Sequence, residues 1–552
     1  MDYLNLSGIF STSVRVIGLF GVTISVYGVT KLVIAVYREL TSPLRLLRGP
    51  PSRSFALGNF REIWDTGNDS RHEEWVKRYG STMKYKGLFG VTRLYTVDLK
   101  AINHVVMNNY DYQKPEAAVY SLKQVTGDSG VLLVEGDAHK LQRKILNPAF
   151  GPQQMREIAS VVVEKTIQLR DAWLSELAEE QGPKRIDALS WLSRATLDVI
   201  GLTGFNYDFE ALTPDGPDKN ELNRAFKTLF ETGGELNVPA VLRSLFPIFR
   251  FLPVPGDAEA KIAFRNMFRI SAELLRDTRA RLQAESFDSA SKGWRSRDML
   301  SLLVRANAMP GIPEDQRLSD NDVLSQIPTF IIAGHETTSV GTCWALYALS
   351  RNKRVQNKLR KELLAFPSHL PTNDELHGLQ YLDHVVRESL RLYAPIPATL
   401  RVAQKDDMLP LSKPIIDNHG VVRHEIPIKK GHMIMIPISH VNRTEEIWGE
   451  DATEFKPERW EEPSPTSGPI PSVWGNTLSF LNGPRACIGY RYALLEMKAL
   501  LFTLIRAFEF ELAVPANEIS RVSTIVQRPV LTSDPDKHNQ MPLLIRPVNS
   551  ST

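Results

Sequence analysis

The chain has 552 residues, more than one ordinary domain by length alone, and its 43% hydrophobic and 23% charged residues describe a globular interior and surface. Lys and Arg number 66 against 63 Asp and Glu, so a net charge of +3 gives no ground for a nucleic-acid partner. Two cysteines, Cys343 and Cys487, exclude a disulfide framework and a zinc site of the usual four-ligand kind, and they suit a reducing compartment.

Residues 16–37, VIGLFGVTISVYGVTKLVIAVY, run for 22 positions with Lys31 as the only charge, about the length that spans a hydrocarbon core. No small-residue cleavage site follows, so the run predicts an uncleaved anchor; a helix lying in the membrane interface is the alternative. Arg38, Arg45, Arg48 and Arg53 follow the run and only Arg15 precedes it, which places the body of the protein in the cytosol. Residues 1–48 are then anchor and flank, Gly49 to Ser52 a proline hinge, and 53–552 one large domain.

Within that domain the alternation over 81–97 predicts a β-hairpin around Gly87 and Gly90. The stretch 136–150 predicts a helix that opens at Asp137 and closes before Pro148. His139 and Arg143 share one face of it and could donate to one anion, or be solvated bases. Residues 204–256 end in LFPIFRFLPVPG, an apolar cluster broken by prolines that suits either a contact surface or ordinary packing. Residues 286–297 predict a polar surface loop.

Ser319, Asp320 and Asn321 are good N-cap residues for one long helix over 319–350, with Pro328 a possible kink. Its middle reads AGHETT: Ala333 and Gly334 leave room beside the helix, and Glu336 next to Thr337 sets an acid beside an alcohol that can relay protons. A capping box in a broken helix would also account for that pair. Cys343, in an apolar run, reads as core packing. Glu388 and Arg391 form ExxR on a helix ending before Pro395, and PERW supplies Arg459 as a third charge. Short strands are predicted around LRVAQKD, IPIKKGHMIMIPISHV and FEFELAV.

Phe480 to Gly489, FLNGPRACIG, sets Cys487 in a glycine-bracketed turn before a helical run. Arg485 beside the cysteine and the N-terminus of that helix would both hold a thiolate deprotonated, as a metal ligand must be. The fixed positions FxxGxRxCxG resemble the cytochrome P-450 family of haem-thiolate monooxygenases, in its membrane-bound, fungal-like form. ExxR, PERW and AGHETT follow the family's order.

The resemblance implies a mainly α fold with a minor β region, preceded by the N-terminal transmembrane helix. It implies haem b with Cys487 as the iron ligand and with Phe480, Gly483, Arg485, Gly489, Ala333 and Gly334 around it. His139, Arg143 and Arg401 become propionate partners, with His432 a weaker candidate for the same role. Glu336 and Thr337 become the catalytic relay, His335 points elsewhere, and Glu388, Arg391 and Arg459 become a structural triad. Residues 204–256 become a lid, and Ile396, Ala398 and Thr399 face an apolar small-molecule substrate such as a terpenoid of secondary metabolism. O2 and NADPH-derived electrons are implied. No GxGxxG follows a strand, so a separate flavoprotein reductase would deliver the electrons, docking on Lys140, Arg143, Lys144, Arg491 and Lys498. An endoplasmic reticulum membrane location, single-pass with lipid contact, completes the expectation. A haem-thiolate isomerase or peroxide-rearranging enzyme, and a non-enzymatic haem sensor, are the alternatives; the proton relay argues against both.

Overall fold

Ser319 closes a loop with its hydroxyl accepting the Asp322 N–H at 3.1 Å while the Asp322 carboxylate accepts the Ser319 N–H at 3.0 Å, a reciprocal cap that opens the central helix, Asp320–Arg351. The helix continues unbroken through Pro328, with Thr329 bonded back to the Ser325 carbonyl at 2.7 Å. Small side chains let a second helix, Ala188–Phe205, lie close against it: a Cβ on Gly334 would stand 3.1 Å from Ile200, and Thr196 donates to the His335 carbonyl at 3.0 Å. Tyr490–Ala507, Pro152–Ala178 and Gln380–Leu392 complete the helical core around it. The computed structural model describes residues 26–548 apart from 27, 32, 60–61, 64–68, 179–181, 215, 217–219, 223, 226–237, 289–297, 309–312, 314–315, 462–469, 524 and 537. Most of the surface loop expected at 286–297 therefore lies outside the described residues, as does part of the 204–256 region.

A second core forms around a sheet of β1 (Thr82–Lys86), β2 (Thr92–Thr96), β3 (Tyr112–Gln113), β5 (Thr399–Ala403) and β8 (Met433–Ile436), in the order β1–β2–β8–β5–β3. The β1–β2 hairpin stands where its alternation predicts it, with Thr82 opposite Thr96. Smaller sheets join β4 (Lys184–Asp187), β12 (Pro542–Pro547) and β9 (Phe508–Leu512), then β6 (Asp407–Ile416) with β7 (Val422–Ile428), and β10 (Ile519–Ser523) with β11 (Gln527–Leu531). The fold is thus mainly helical with a minor β region. Ile396 packs against both cores, at the seam between helix bundle and sheet.

The chain is helical at 26, 28–31 and 33–40, and Val33, Val36, Tyr37 and Leu40 are exposed there. Among the described residues no helix is long and apolar enough to cross a membrane. The expected span reaches back to residue 16, and 16–25 lie outside the described residues. Glu39 docks the end of this helix onto the hairpin, accepting from Lys86 Nζ at 2.7 Å and the Thr92 N–H at 2.9 Å. The expected proline hinge is pinned rather than free. Pro50 is buried, the Lys84 N–H donates to the Arg48 carbonyl, and a Cβ on Gly49 would collide with the Lys84 oxygen.

Replacing Ser319 by Ala removes the cap of the central helix and is expected to lower stability by about 1 kcal/mol, with an unchanged urea m-value. Urea melts of the two proteins check this.

Candidate active site

Glu388 and Arg391 lie one turn apart on the Gln380–Leu392 helix, and both side chains are wholly buried. The guanidinium grips the carboxylate with two bonds of 2.8 Å, and its remaining N–H groups donate to the carbonyls of Asn442, Ala452 and Glu454. Glu388 also accepts from the Lys456 N–H at 3.0 Å, Trp460 Nε1 at 3.1 Å and Arg459 Nε at 3.3 Å. Arg459 in turn bonds Asp451 at 2.7 Å, so two acids balance two bases, and the desolvation of each charge is offset by full bonding. The expected triad is present in geometry, with Asp451 as a fourth member.

This cluster reaches the cysteine loop through Asn442. Its carbonyl takes a bond from Arg391, while its side chain accepts the Leu478 N–H at 2.8 Å and donates to Ser479 at 2.9 Å. Ser479 bonds the Leu390 carbonyl at 2.7 Å. Leu481 then takes a positive φ of 56°, a strained conformation for a side chain of its size, and Gly483 takes φ 73° where a Cβ would lie 2.6 Å from the Val106 carbonyl oxygen. The turn closes with the Cys487 N–H on the Phe480 carbonyl at 2.9 Å. Phe480 packs edge-on to Trp474.

Cys487 is exposed at the inner side of this loop, yet the surrounding protein strips solvent from it and raises its thiol pKa; the Gly489 N–H and Arg143 pull the other way. Arg143 also donates to the Ala486 carbonyl at 2.8 Å, so it supports the loop instead of sharing an anion with His139. Arg485 stands with Arg401 and Lys114 instead of over the sulfur. It is bonded to Glu135 and the Val134 carbonyl, leaving Arg143 as the cation whose charge is felt at the sulfur. Gly489 meets Phe150 only at ordinary contact distance, so its part here is its N–H.

Arg485, Arg401, Lys114 and His139 gather beside the loop. Burial, then Arg485 and Arg401, push Lys114 down to about 6, while burial, Lys114 and Arg143 push His139 down to about 4. Arg401 is 5% exposed, bonds only Thr399 and the Leu400 carbonyl, and has no acidic partner among the described residues; burial lowers it to about 10. Among the described residues Glu135 is the acid paired with this cluster, holding Arg485 and, at 3.1 Å, Lys114. The site is short of negative charge.

On the central helix, Ala333 is exposed although the helix is buried for most of its length. Thr337 lies on the same face, its hydroxyl donating to the Ala333 carbonyl at 2.7 Å. Gly334 does not border that opening, since its missing Cβ makes room for Ile200. Glu336 and Thr337 diverge: the carboxylate is bound by Arg528 of β11, with Nε at 2.6 Å. His335 is buried with Nδ1 2.9 Å from the Ile331 carbonyl, away from the opening, as expected.

An accessible thiol, an exposed Ala333 on an otherwise buried helix and a buried cationic cluster with more cations than acids together fit a flat iron macrocycle bearing carboxylates. A thiolate is a ligand that such an iron accepts. The description Cytochrome P450 matches residues 48–533 of this chain. The chain belongs to the cytochrome P450 family. It is 50% identical over 512 residues to Cytochrome P450 monooxygenase 205 of Postia placenta, covering 92% of this chain and 94% of that one. It is 48% identical over 511 residues to Cytochrome P450 monooxygenase 128 of the same fungus, covering 92% and 93%. To Cytochrome P450 monooxygenase claQ of Ampulloclitocybe clavipes it is 35% identical over 501 residues, covering 89% and 91%. This cytochrome P450 is therefore a haem-thiolate monooxygenase that uses haem and O2.

Two further expectations change. His432 accepts the Lys429 N–H at Nδ1, so its Nε2–H donates to Ser42 at 3.0 Å; it ties the N-terminal flank to the sheet and not to a propionate. Lys498 is buried and paired with Asp383 at 2.7 Å, whereas Lys140 and Lys144 are exposed and Arg491 is partly so. Lys114, Glu135, Asn442, Ser479, Asp451 and Arg528 carry no motif that marks them in the sequence. Ala333, by contrast, was legible from the small pair AG.

Arg391→Ala leaves Glu388 buried with only the longer Arg459 contact as a cationic partner, with an expected cost of about 3–5 kcal/mol and loss of haem retention. Denaturant melts and the haem-to-protein ratio after purification measure both.

Proposed function

We propose that this P450 inserts one atom of O2 into an apolar small molecule, a terpenoid of secondary metabolism being the preferred class, with electrons from NADPH through a separate flavoprotein reductase. The observation that carries the reading is the pairing of an accessible Cys487 with the open Ala333–Thr337 face of the central helix. Cys487 ligates the iron of haem b, with Phe480 and Gly489 shaping its loop. The charge deficit at Lys114, Arg401, Arg485 and His139 suits two propionates, and Arg143 steadies the ligand loop. When bound, the haem supplies the redox chemistry that activates O2.

Thr337 keeps a hydroxyl at the open face, where it accepts a proton donor while its own proton rests on the Ala333 carbonyl. Glu336, once it has released Arg528 and taken a proton from water, would pass that proton to the Thr337 hydroxyl, so the ion pair sets when the acid is available. Ile396, Ala398 and Thr399, partly buried at the seam of the two cores, border the substrate.

The exposed Phe246, Ile248 and Phe251 lie on the 204–256 lid, and the ring of Phe89 at the hairpin tip packs at a tilt against Phe246, 5.9 Å between centroids. With the apolar 26–40 helix docked to the same hairpin by Glu39, these side chains form one face toward a bilayer. The chain is then a single-pass protein of the endoplasmic reticulum membrane with its catalytic domain in the cytosol, and residues 16–37 span the bilayer. Lys140, Lys144 and Arg491 offer a basic face to the reductase.

Incubation with purified reductase, NADPH, 18O2 and a panel of apolar compounds is expected to give a product carrying one labelled oxygen. Product labelled only from water, or formed without NADPH, would refute the reading. Thr337→Val is expected to reduce product formed per NADPH about tenfold or more while leaving substrate binding unchanged.

A further inference from the structure

A cleft of about 600 Å³ lies at the start of the Asp257–Asp288 helix, lined by Arg243, Arg250, Lys261 and Arg265 with Phe251 and Ile262 at its edge. Asp257 is the one acid in the lining, and it is fully engaged by Arg243 through two bonds of 2.7 and 2.8 Å. Arg250 is held by Glu116 at 2.9 Å and lies over the Tyr120 ring at 4.4 Å, while its Nε is buried with no bonding partner. Lys261 and Arg265 stand one helical turn apart, both exposed, and neither forms an ion pair with a described residue, although the Lys261 charge helps to lower the Asp257 pKa. Two paired arginines therefore form the wall, and two exposed cations without an ion pair of their own face the opening.

The surroundings identify the ligand. Ile248 is 63% exposed, Phe251 77% and Ile262 52%, so an apolar rim adjoins the cationic cup. A soluble anion would use the charges and leave those side chains in water. A ligand with an anionic head and hydrocarbon tails uses both, since basic side chains beside a bilayer attract anionic headgroups and apolar side chains enter the acyl boundary.

We propose that this cleft binds the phosphate headgroup of an anionic phospholipid, with Lys261 and Arg265 as the phosphate donors and Phe251 and Ile262 against its acyl chains. The proposal rests on the reading that the lid faces a membrane. A lipid held here would bridge the lid, through Arg243 and Arg250, to the bilayer from which apolar substrates enter.

The full-length protein is tested by flotation with vesicles of phosphatidylcholine alone and with phosphatidylglycerol added, alongside the double variant Lys261→Glu, Arg265→Glu. Both positions are exposed, and equal melting temperatures verify that the variant is folded. The expected result is equal binding of both proteins to neutral vesicles, with tighter binding of the wild type to anionic vesicles, by about fivefold for each cation lost. Equal binding of both proteins to anionic vesicles would overturn the site. Failure of either protein to bind neutral vesicles would instead overturn the membrane reading. In that event, titration with short-chain phosphatidylglycerol below its micelle concentration still decides the site: saturable binding by the wild type alone supports it, and no difference refutes it. Inorganic phosphate that binds as tightly as the short-chain lipid would overturn the lipid assignment.

Discussion

The buried ion pair between Arg391 and Glu388 is the interaction on which the rest of the site depends. Fully desolvated charges are expensive, and this pair is stable only because every donor of the guanidinium and both carboxylate oxygens are used. Those extra bonds fix the 442–456 segment, and Asn442 passes that position to Ser479 and Leu478 at the head of the cysteine loop. The strained backbone at Leu481 and the left-handed Gly483 persist because the loop is tied at both ends, by Asn442 before them and by the Cys487 N–H on Phe480 after them. The pair is best understood as setting the place of the sulfur, since an apolar pair of equal volume could stabilise as well without directing six hydrogen bonds.

The other side of the site is an imbalance rather than a bond. Lys114 and Arg485 share Glu135 while Arg401 has no acidic partner among the described residues; burial drives the pKa values of all three and of His139 down, and neighbouring cations add to it at Lys114 and His139. Such a cluster is costly in the bare protein and relaxes when an anion enters, so cofactor binding and stability are coupled. Two opposed demands thus meet at the loop: a fully satisfied polar scaffold behind the sulfur and an unsatisfied cationic cluster beside it.

Much of this was legible in the sequence because the chemistry is local. ExxR puts its charges one helical turn apart, AGHETT puts an alanine and a threonine on one helix face, and FLNGPRACIG contains its own turn geometry. The contacts that sequence reasoning did not foresee depend on long-range partners. Arg485 and Arg143 exchange places because Glu135, far off in sequence, captures the nearer arginine. Glu336 is drawn from Thr337 by Arg528, 192 positions away. Gly334 serves a helix crossing at Ile200, and His432 a contact with Ser42, and neither partner carries a pattern that periodicity can detect. The hairpin over 81–97 followed from alternation, and the helices at 136–146 and 380–392 from runs that end ahead of a proline, which are local as well.

The central claim is that Cys487 supplies the thiolate to a haem iron. Its most direct test is the absorption spectrum of the reduced, haem-loaded protein under carbon monoxide, compared with Cys487→His. The wild type is expected to show the long-wavelength Soret band of a thiolate-ligated carbon monoxide adduct, and the variant the shorter-wavelength band of an imidazole nitrogen ligand. A wild-type spectrum of the imidazole kind, or a thiolate spectrum that survives the substitution, would contradict the account.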